Sequence, residues 1–327
     1  MNSFRPQVPP QRTLGEIAGF LGARGHGESA VTLTGLGVAS GEIRPGDLFV
    51  ALPGANTHGA TFAPAAMRAG ARGVLTDDQG AGMLDPQMPF LVVPEPRERL
   101  GALAAWFYDH PARGLTVVGV TGTTGKTTVA WLVEAAMREA WSRSAVLGTV
   151  TARLDGQAMA SPRTTLEAPD LHAAFAAMRE AGIPGCAMEV SSHALAAHRV
   201  DGFACDVAVL TNLARDHLDF HGTVEDYHAT KARLFTPDHA RQGVVWLGDP
   251  HAERLAAEAT IPIARIRAGN PVAPHRLSGR PGSVTAGEWA VERRGTVMVG
   301  GRPAQGFALV GPVCIESATR LIGEFNL

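Results

Sequence analysis

The stretch Val117-Val118-Gly119-Val120-Thr121-Gly122-Thr123-Thr124-Gly125-Lys126-Thr127-Thr128 is a short apolar run feeding a glycine-punctuated loop that closes on Lys-Thr-Thr. That order of residues suits a nucleotide-phosphate cradle. Gly122 and Gly125 let backbone N–H groups turn toward an anion, Lys126 brings a point charge to the outer phosphates, and the hydroxyl of Thr127 can hold Mg2+. Thr123, Thr124 and Thr128 complete the nucleotide-facing segment. A helix expected over residues 127–140 adds its positive end to the same spot. A strict phosphate loop carries glycine five residues before the Gly-Lys pair, and that position here is Val120. The loop is therefore a shortened variant, Thr-Gly-Thr-x-Gly-Lys-Thr, and a plain turn with a surface lysine is the alternative.

Three further clusters carry chemistry. Glu189 follows the apolar run Cys186-Ala187-Met188 and opens Glu-Val-Ser-Ser-His-Ala-Leu. At a strand end its carboxylate would be a second Mg2+ ligand, although a capping or salt-bridged glutamate would look the same. Thr211-Asn212-Leu213-Ala214-Arg215-Asp216-His217-Leu218-Asp219-Phe220-His221-Gly222 packs an amide, a guanidinium, carboxylates and imidazoles behind another apolar run. So many titratable groups at a strand end mark a candidate site. Lys231, in a helical stretch over residues 225–235, is on spacing alone an ordinary solvated lysine.

The chain has 327 residues, 45% hydrophobic and 18% charged, with a net charge of −2. Its length calls for two domains, and its charge gives no basic face for nucleic acid. The three cysteines, Cys186, Cys205 and Cys314, stand singly, which suits a reducing compartment. Met1 to Pro10 is proline-rich and polar where a secretion signal needs an apolar core, and no later stretch is long enough to span a bilayer. A cytoplasmic protein without membrane contact is expected.

The elements that must position these residues fall into two α/β units. In the first, strands are expected at residues 46–52, 73–76 and 90–93 and helices at 62–69 and 97–110. His110-Pro111 and Arg113-Gly114 make a linker, giving domains 1–113 and 114–327. In the second, strands at 117–120, 145–150, 185–190, 207–210 and 244–247 alternate with helices, so a mainly parallel sheet covered on both faces is expected. Ligands of such sheets collect at the carboxyl ends of strands, where the phosphate loop and Glu189 lie. Beyond Pro262 the pattern breaks into short strands and Gly/Pro turns.

Together these residues resemble the Mur ligase family, most closely its MurE branch, the UDP-N-acetylmuramoyl-tripeptide synthetases of peptidoglycan assembly. The matching stretches are Thr121 to Thr128, Arg163-Thr164-Thr165, Glu189 to Leu195 with His198-Arg199-Val200-Asp201-Gly202, Thr211 to Gly222, and Lys231-Ala232-Arg233-Leu234-Phe235. The resemblance implies that Lys126 and the loop amides bind ATP, with Asn212 near the nucleotide, and that Thr127 and Glu189 hold a first Mg2+. It implies a second Mg2+ at His217 and Lys231, with Lys231 carbamylated by CO2. Thr164, Thr165, Ser191 and Arg199 would grip UDP-MurNAc-L-Ala-D-Glu. The implied reaction forms an acyl phosphate from ATP and the D-glutamate carboxylate, which the amino group of a diamino acid then attacks. A monomer is implied.

The first unit resembles the family's uridine-nucleotide domain over residues 43–54, with departures. Where the family commonly has Asp-Ser-Arg this chain has Ala39-Ser40-Gly41, so only Ser40 carries over as a uridine-side contact, and Leu166 replaces a usual proline. Residues 321–327 resemble the hinge into a third, Rossmann-like domain, and the sequence stops there. A truncated ligase that binds its acceptor and handles ATP weakly is the resulting expectation. The alternatives are a non-catalytic UDP-sugar or nucleotide-binding module, a folylpolyglutamate synthase-like ligase, and a plain P-loop ATPase or kinase.

Overall fold

The computed structural model describes residues 5–159, 163–268, 288–299, 302–310 and 314–319. The N-terminal part forms a five-stranded sheet in the order Arg24–His26, Phe90–Val92, Gly73–Thr76, Asp47–Val50, Gly35–Gly37. All neighbours run parallel except the first pair. Every residue of Asp47–Val50 and Gly73–Thr76 is buried, as strands covered on both faces require. The helix expected at 62–69 is a 3-10 turn, Gly59–Phe62, running into an α-helix, Ala63–Arg68. Helix Pro96–Phe107 starts on a proline that supplies the first helical φ without wasting a donor.

Chain residues 111–114 form a 3-10 turn, Pro111–Gly114, that leads directly into strand Thr116–Thr121. This strand sits inside an eleven-stranded sheet. Its order is Gln157–Met159, Ala152–Leu154, Ala145–Leu147, Gly185–Glu189, Thr116–Thr121, Cys205–Leu210, Ala240–Trp246, Ile263–Ala268, Glu288–Val299, Arg302–Val310, Cys314–Thr319. Pairing is parallel from Ala145–Leu147 through to Glu288–Val299, and antiparallel ribbons close both ends. The mainly parallel sheet is as expected.

Two expectations about elements need correction. The strand placed at 145–150 ends at Leu147, because Gly148 turns the chain against the carboxylate of Glu189, where a Cβ would collide with Oε1. The chain then makes the hairpin Ala152–Leu154/Gln157–Met159, which short polar strands around Asp155-Gly156 did not announce. Beyond 262 the strands are long rather than short, with 12 residues in Glu288–Val299 and 9 in Arg302–Val310. The hinge-like residues 321–327 lie outside the described residues.

Helix Ala168–Glu180 is apolar almost all round, the mark of a helix covered on every side. Leu171, Ala174, Phe175 and Met178 join the core of the large sheet. Ala168, Ala173 and Ala176 join the core of the N-terminal sheet together with Leu100, Leu103 and Ala104 of helix Pro96–Phe107. Small residues permit the close approach: a Cβ at Gly101 would lie 2.6 Å from the backbone oxygen of Asp201. This interface fixes the N-terminal unit against the segment that carries Thr164, Thr165 and Arg199.

Candidate functional site

The phosphate loop leaves strand Thr116–Thr121 at the centre of the large sheet and enters helix Lys126–Trp141. Gly122 has φ 142° and Gly125 φ 82°, values that L side chains rarely adopt. A Cβ at Gly122 would also run into the Thr211 hydroxyl. No side chain caps the helix N-terminus, so its first N–H groups and its dipole stay free for an anion. The next strand end braces the loop from the side. Asn212 Oδ1 accepts from Thr124 N at 3.1 Å, its Nδ2 donates to Thr124 O at 3.0 Å, and Thr211 Oγ1 donates to Thr124 O at 2.7 Å. Thr123 Oγ1 accepts from Ala214 N at 2.9 Å. Val120, at the position of the missing glycine, is buried in the strand.

Two lysines converge on one carbonyl oxygen of this loop. Lys126 Nζ donates to Gly122 O at 2.9 Å and to Thr123 O at 3.0 Å. Lys231 Nζ donates to the same Gly122 O at 2.9 Å and stands 4.6 Å from the ring centre of Tyr227. Lys231 is only 1% exposed, so the solvated-lysine reading is wrong: its helix, Val224–Ala232, turns Tyr227 and Lys231 inward at i,i+4 spacing. Burial pushes the Lys231 ammonium down to about 7, the nearby Lys126 charge adds to this, and Asp216 opposes it. Burial also lowers Lys126, against Glu189 and Asp216.

Glu189 ends strand Gly185–Glu189 in register with Val120, which sets its carboxylate beside the first turn of the loop helix. It is 1% exposed. Oε2 accepts from Thr127 Oγ1 at 3.0 Å and from Thr149 Oγ1 at 3.2 Å, while Oε1 accepts from Thr149 N at 2.8 Å. A hydroxyl and a carboxylate at this separation suit a hard cation that takes its remaining ligands from phosphates and water. Among the described residues no group of three His, Cys, Asp or Glu side chains is placed to hold a metal ion. Thr128 lies in the same helical turn.

His217 lies beside Tyr227, with ring centres 6.4 Å apart, and is exposed. Its backbone is left-handed at φ 51°, and its Nε2 is 3.5 Å from Asp216 Oδ2. It packs with His193 at 4.8 Å, which in turn stacks against Phe220 at 4.2 Å. His221 Nε2 meets Ser192 Oγ at 2.9 Å. Burial, followed by the neighbouring imidazoles, keeps both His193 and His221 below the ordinary histidine range.

Of the expected acceptor-binding residues, Thr164, Thr165 and Ser191 are linked to Glu189 through hydrogen bonds, and Arg199 is paired with Glu167. Thr164 Oγ1 lies 3.0 Å from Thr149 Oγ1. Thr165 Oγ1 donates to Glu189 O at 2.9 Å and accepts from Ser191 N at 3.1 Å. Ser191 caps helix Ser192–Ala196 through Ala194 N at 3.2 Å, and Arg199 Nε lies 2.9 Å from Glu167 Oε1. Ser40 stands apart, in the 3-10 helix Ser40–Glu42 of the N-terminal unit. Sequence reasoning passed over Thr149 and Tyr227, and it placed Thr211 in a candidate cluster without a role of its own. Thr211 directly follows a strand and Tyr227 precedes Lys231 by four residues, and both positions were readable as signals.

Comparison with known proteins agrees with this geometry. The Mur ligase middle domain matches residues 120–272, and the Mur ligase family catalytic domain matches residues 32–108. A Streptomyces coelicolor protein named UDP-N-acetylmuramoyl-L-alanyl-D-glutamate--2,6-diaminopimelate ligase is 49% identical over 274 residues, 83% of this chain and 54% of its own length. A UDP-N-acetylmuramyl-tripeptide synthetase of Leifsonia xyli subsp. xyli is 39% identical over 329 residues, 99% of this chain and 61% of its own. A solved UDP-N-acetylmuramoyl-L-alanyl-D-glutamate--2,6-diaminopimelate ligase superposes with a TM-score of 0.72 at 26% identity, covering 97% of this chain and 61% of that one. The chain thus spans between half and two-thirds of the length of these relatives. With both domain matches in order along it, over the same loop, strand ends and buried lysine, this chain belongs to the Mur ligase family.

Proposed function

We propose that the protein is an ATP-dependent ligase of the MurE type, joining a diamino acid to UDP-MurNAc-L-Ala-D-Glu in peptidoglycan precursor synthesis. The observation that carries this reading is Lys231, buried against the phosphate loop with its ammonium hydrogen-bonded to the same carbonyl as Lys126. A plain P-loop ATPase has no use for a second buried cation there. A lysine kept near pKa 7 is in part a neutral amine at neutral pH, and only that form adds to CO2. The nitrogen forms a bond to carbon and loses a proton, and the cation becomes a carbamate whose oxygens suit Mg2+.

In this reading the unit formed by residues 1–113 receives the uridine end of the acceptor, with Ser40 a contact, and residues 114–327 carry the chemistry. The uncapped N–H groups at the start of helix Lys126–Trp141 take the ATP phosphates, and Asn212 keeps Thr124 in place beside them. Lys126 turns from loop carbonyls to phosphate oxygens. Thr127 and Glu189 would hold one Mg2+, His217 and carbamylated Lys231 another, and bound Mg2+ supplies charge neutralisation for phosphoryl transfer to the acceptor carboxylate. Thr164, Thr165, Ser191 and Arg199 orient that acceptor. The protein acts as a cytoplasmic monomer with no nucleic acid or membrane partner. No helix among the described residues is long and apolar enough to cross a membrane.

The name of the Streptomyces coelicolor relative makes 2,6-diaminopimelate the first amino acid to test, ahead of lysine and ornithine. The assay is phosphate release from MgATP with UDP-MurNAc-L-Ala-D-Glu and each amino acid in turn, using the protein as encoded. Release that requires both the acceptor and one amino acid supports the ligase. Tight acceptor binding with no release under any condition would leave a non-catalytic binding module.

A further inference from the structure

Helix Pro96–Phe107 places Arg97 in its first turn, where the helix dipole disfavours a cation. Helix stability therefore gives no reason for this arginine, and its contacts do. Arg97 Nη1 donates to Glu167 Oε2 at 2.8 Å across the boundary between the two sheets. Glu167, 4% exposed, offers its other oxygen to Arg199 Nε at 2.9 Å and lies 3.9 Å from Arg163 Nε. Three guanidinium groups thus share one buried carboxylate. Arg199 is lowered by its own burial and by the charges of Arg163 and Arg97, with only Glu167 supporting it. On the Arg163 side, Asp170 sits near Glu42 and Arg5, and burial with the Glu42 charge pushes its carboxyl up to about 6.

Arg97 and Arg199 thus share the carboxylate of Glu167 and leave a net positive charge, which a further anion would complete. Among the described residues Arg97 donates through Nη1 to Glu167 alone and Arg199 is paired through Nε with Glu167 alone, so the Nε and Nη2 of Arg97 and both Nη nitrogens of Arg199 have no protein acceptor there. Glu167 is two residues beyond Thr165, whose hydroxyl bonds the backbone of Glu189. Glu167 therefore holds the two arginines within two residues of the segment that contacts the strand end at Glu189. An acceptor that ends in a dicarboxylic residue presents one carboxylate for activation and keeps a second, which stays anionic and needs a cationic partner once desolvated.

We propose that Arg97 is a substrate-binding residue that, together with Arg199, takes the unactivated carboxylate of the acceptor's terminal residue; this rests on the acceptor reading given above. The N-terminal unit then contributes to the reacting end of the acceptor as well as to its nucleotide end. The fork of two guanidiniums from two units sets how far that carboxylate sits from the phosphate loop.

The test is calorimetric titration of UDP-MurNAc-L-Ala-D-Glu and UDP-MurNAc-L-Ala into wild type, Arg97→Ala and Arg97→Lys, with melting temperatures measured alongside. Arg97→Ala is expected to weaken the D-glutamyl ligand on the order of ten- to a hundredfold and leave UDP-MurNAc-L-Ala unchanged. Arg97→Lys keeps the charge without the fork and should fall between, and it carries the test if the alanine variant unfolds. Equal losses for both ligands would overturn the assignment in favour of a contact to the diphosphate or to the domain boundary, and unchanged binding of both would overturn it outright. Wild-type protein that binds neither ligand would sink the acceptor reading itself.

Discussion

The two halves of the large sheet's rim are built on different terms. On the phosphate-loop half, Thr123, Thr124, Thr127, Lys126, Glu189 and Lys231 all have protein partners, and the charged side chains are buried or part-buried. On the other half, residues 215–220 face solvent, Phe220 is 52% exposed, and His217 caps a four-residue helix with left-handed backbone. The first half is assembled before any ligand arrives. The second is open to solvent and makes few buried contacts, so stability should depend on it little.

Substitutions that break the assembled half should have the largest effects. Gly122→Ala forces a Cβ into Thr211 at a φ of 142°, and we expect a cost on the order of 3 kcal/mol in stability together with loss of nucleotide binding, seen by denaturation and by titration. Glu189→Gln keeps the shape but removes the charge, and Mg2+-dependent nucleotide affinity should fall by about 2–3 kcal/mol with little change in melting temperature.

Lys231→Met sharpens the comparison through pH. Lys231 is held at about 7 against 10.5 for an ordinary lysine, so between those values the unfolded chain carries more protons and stability rises with pH. The methionine variant should lose that rise and, without CO2, exceed wild type near pH 7 by roughly 1–3 kcal/mol, while Lys126 continues to satisfy Gly122 O. Carbamylation is checked separately by the 13C signal of protein under 13CO2, which should grow as pH rises through about 7 and vanish in Lys231→Met. On the open half, Phe220→Ala should move stability by less than about 0.5 kcal/mol.

What the sequence disclosed follows the same division. The loop, Glu189 and the strands behind them were legible because glycine placement, apolar runs and strand–helix alternation are local signals. The burial of Lys231 was not, since the helix Val-Glu-Asp-Tyr-His-Ala-Thr-Lys-Ala has hardly any apolar stripe and only the facing loop makes an inside. The residue count of strand 145–147 was overestimated because Gly148 turns for a carboxylate forty-one residues further along the chain, which no window contains. Arg97 escaped notice for a similar reason: its partner Glu167 is brought to it only by the packing of two helices.

The central claim is that Thr127, Glu189 and the loop of Gly122 to Thr128 form one Mg2+–nucleotide site. Titration of ATP into wild type and Glu189→Gln, each with Mg2+ and with chelator, tests it most directly. The account predicts that Mg2+ strengthens binding to wild type on the order of a hundredfold and has little effect on the variant. The same Mg2+ enhancement in both proteins, or none in wild type, would contradict it.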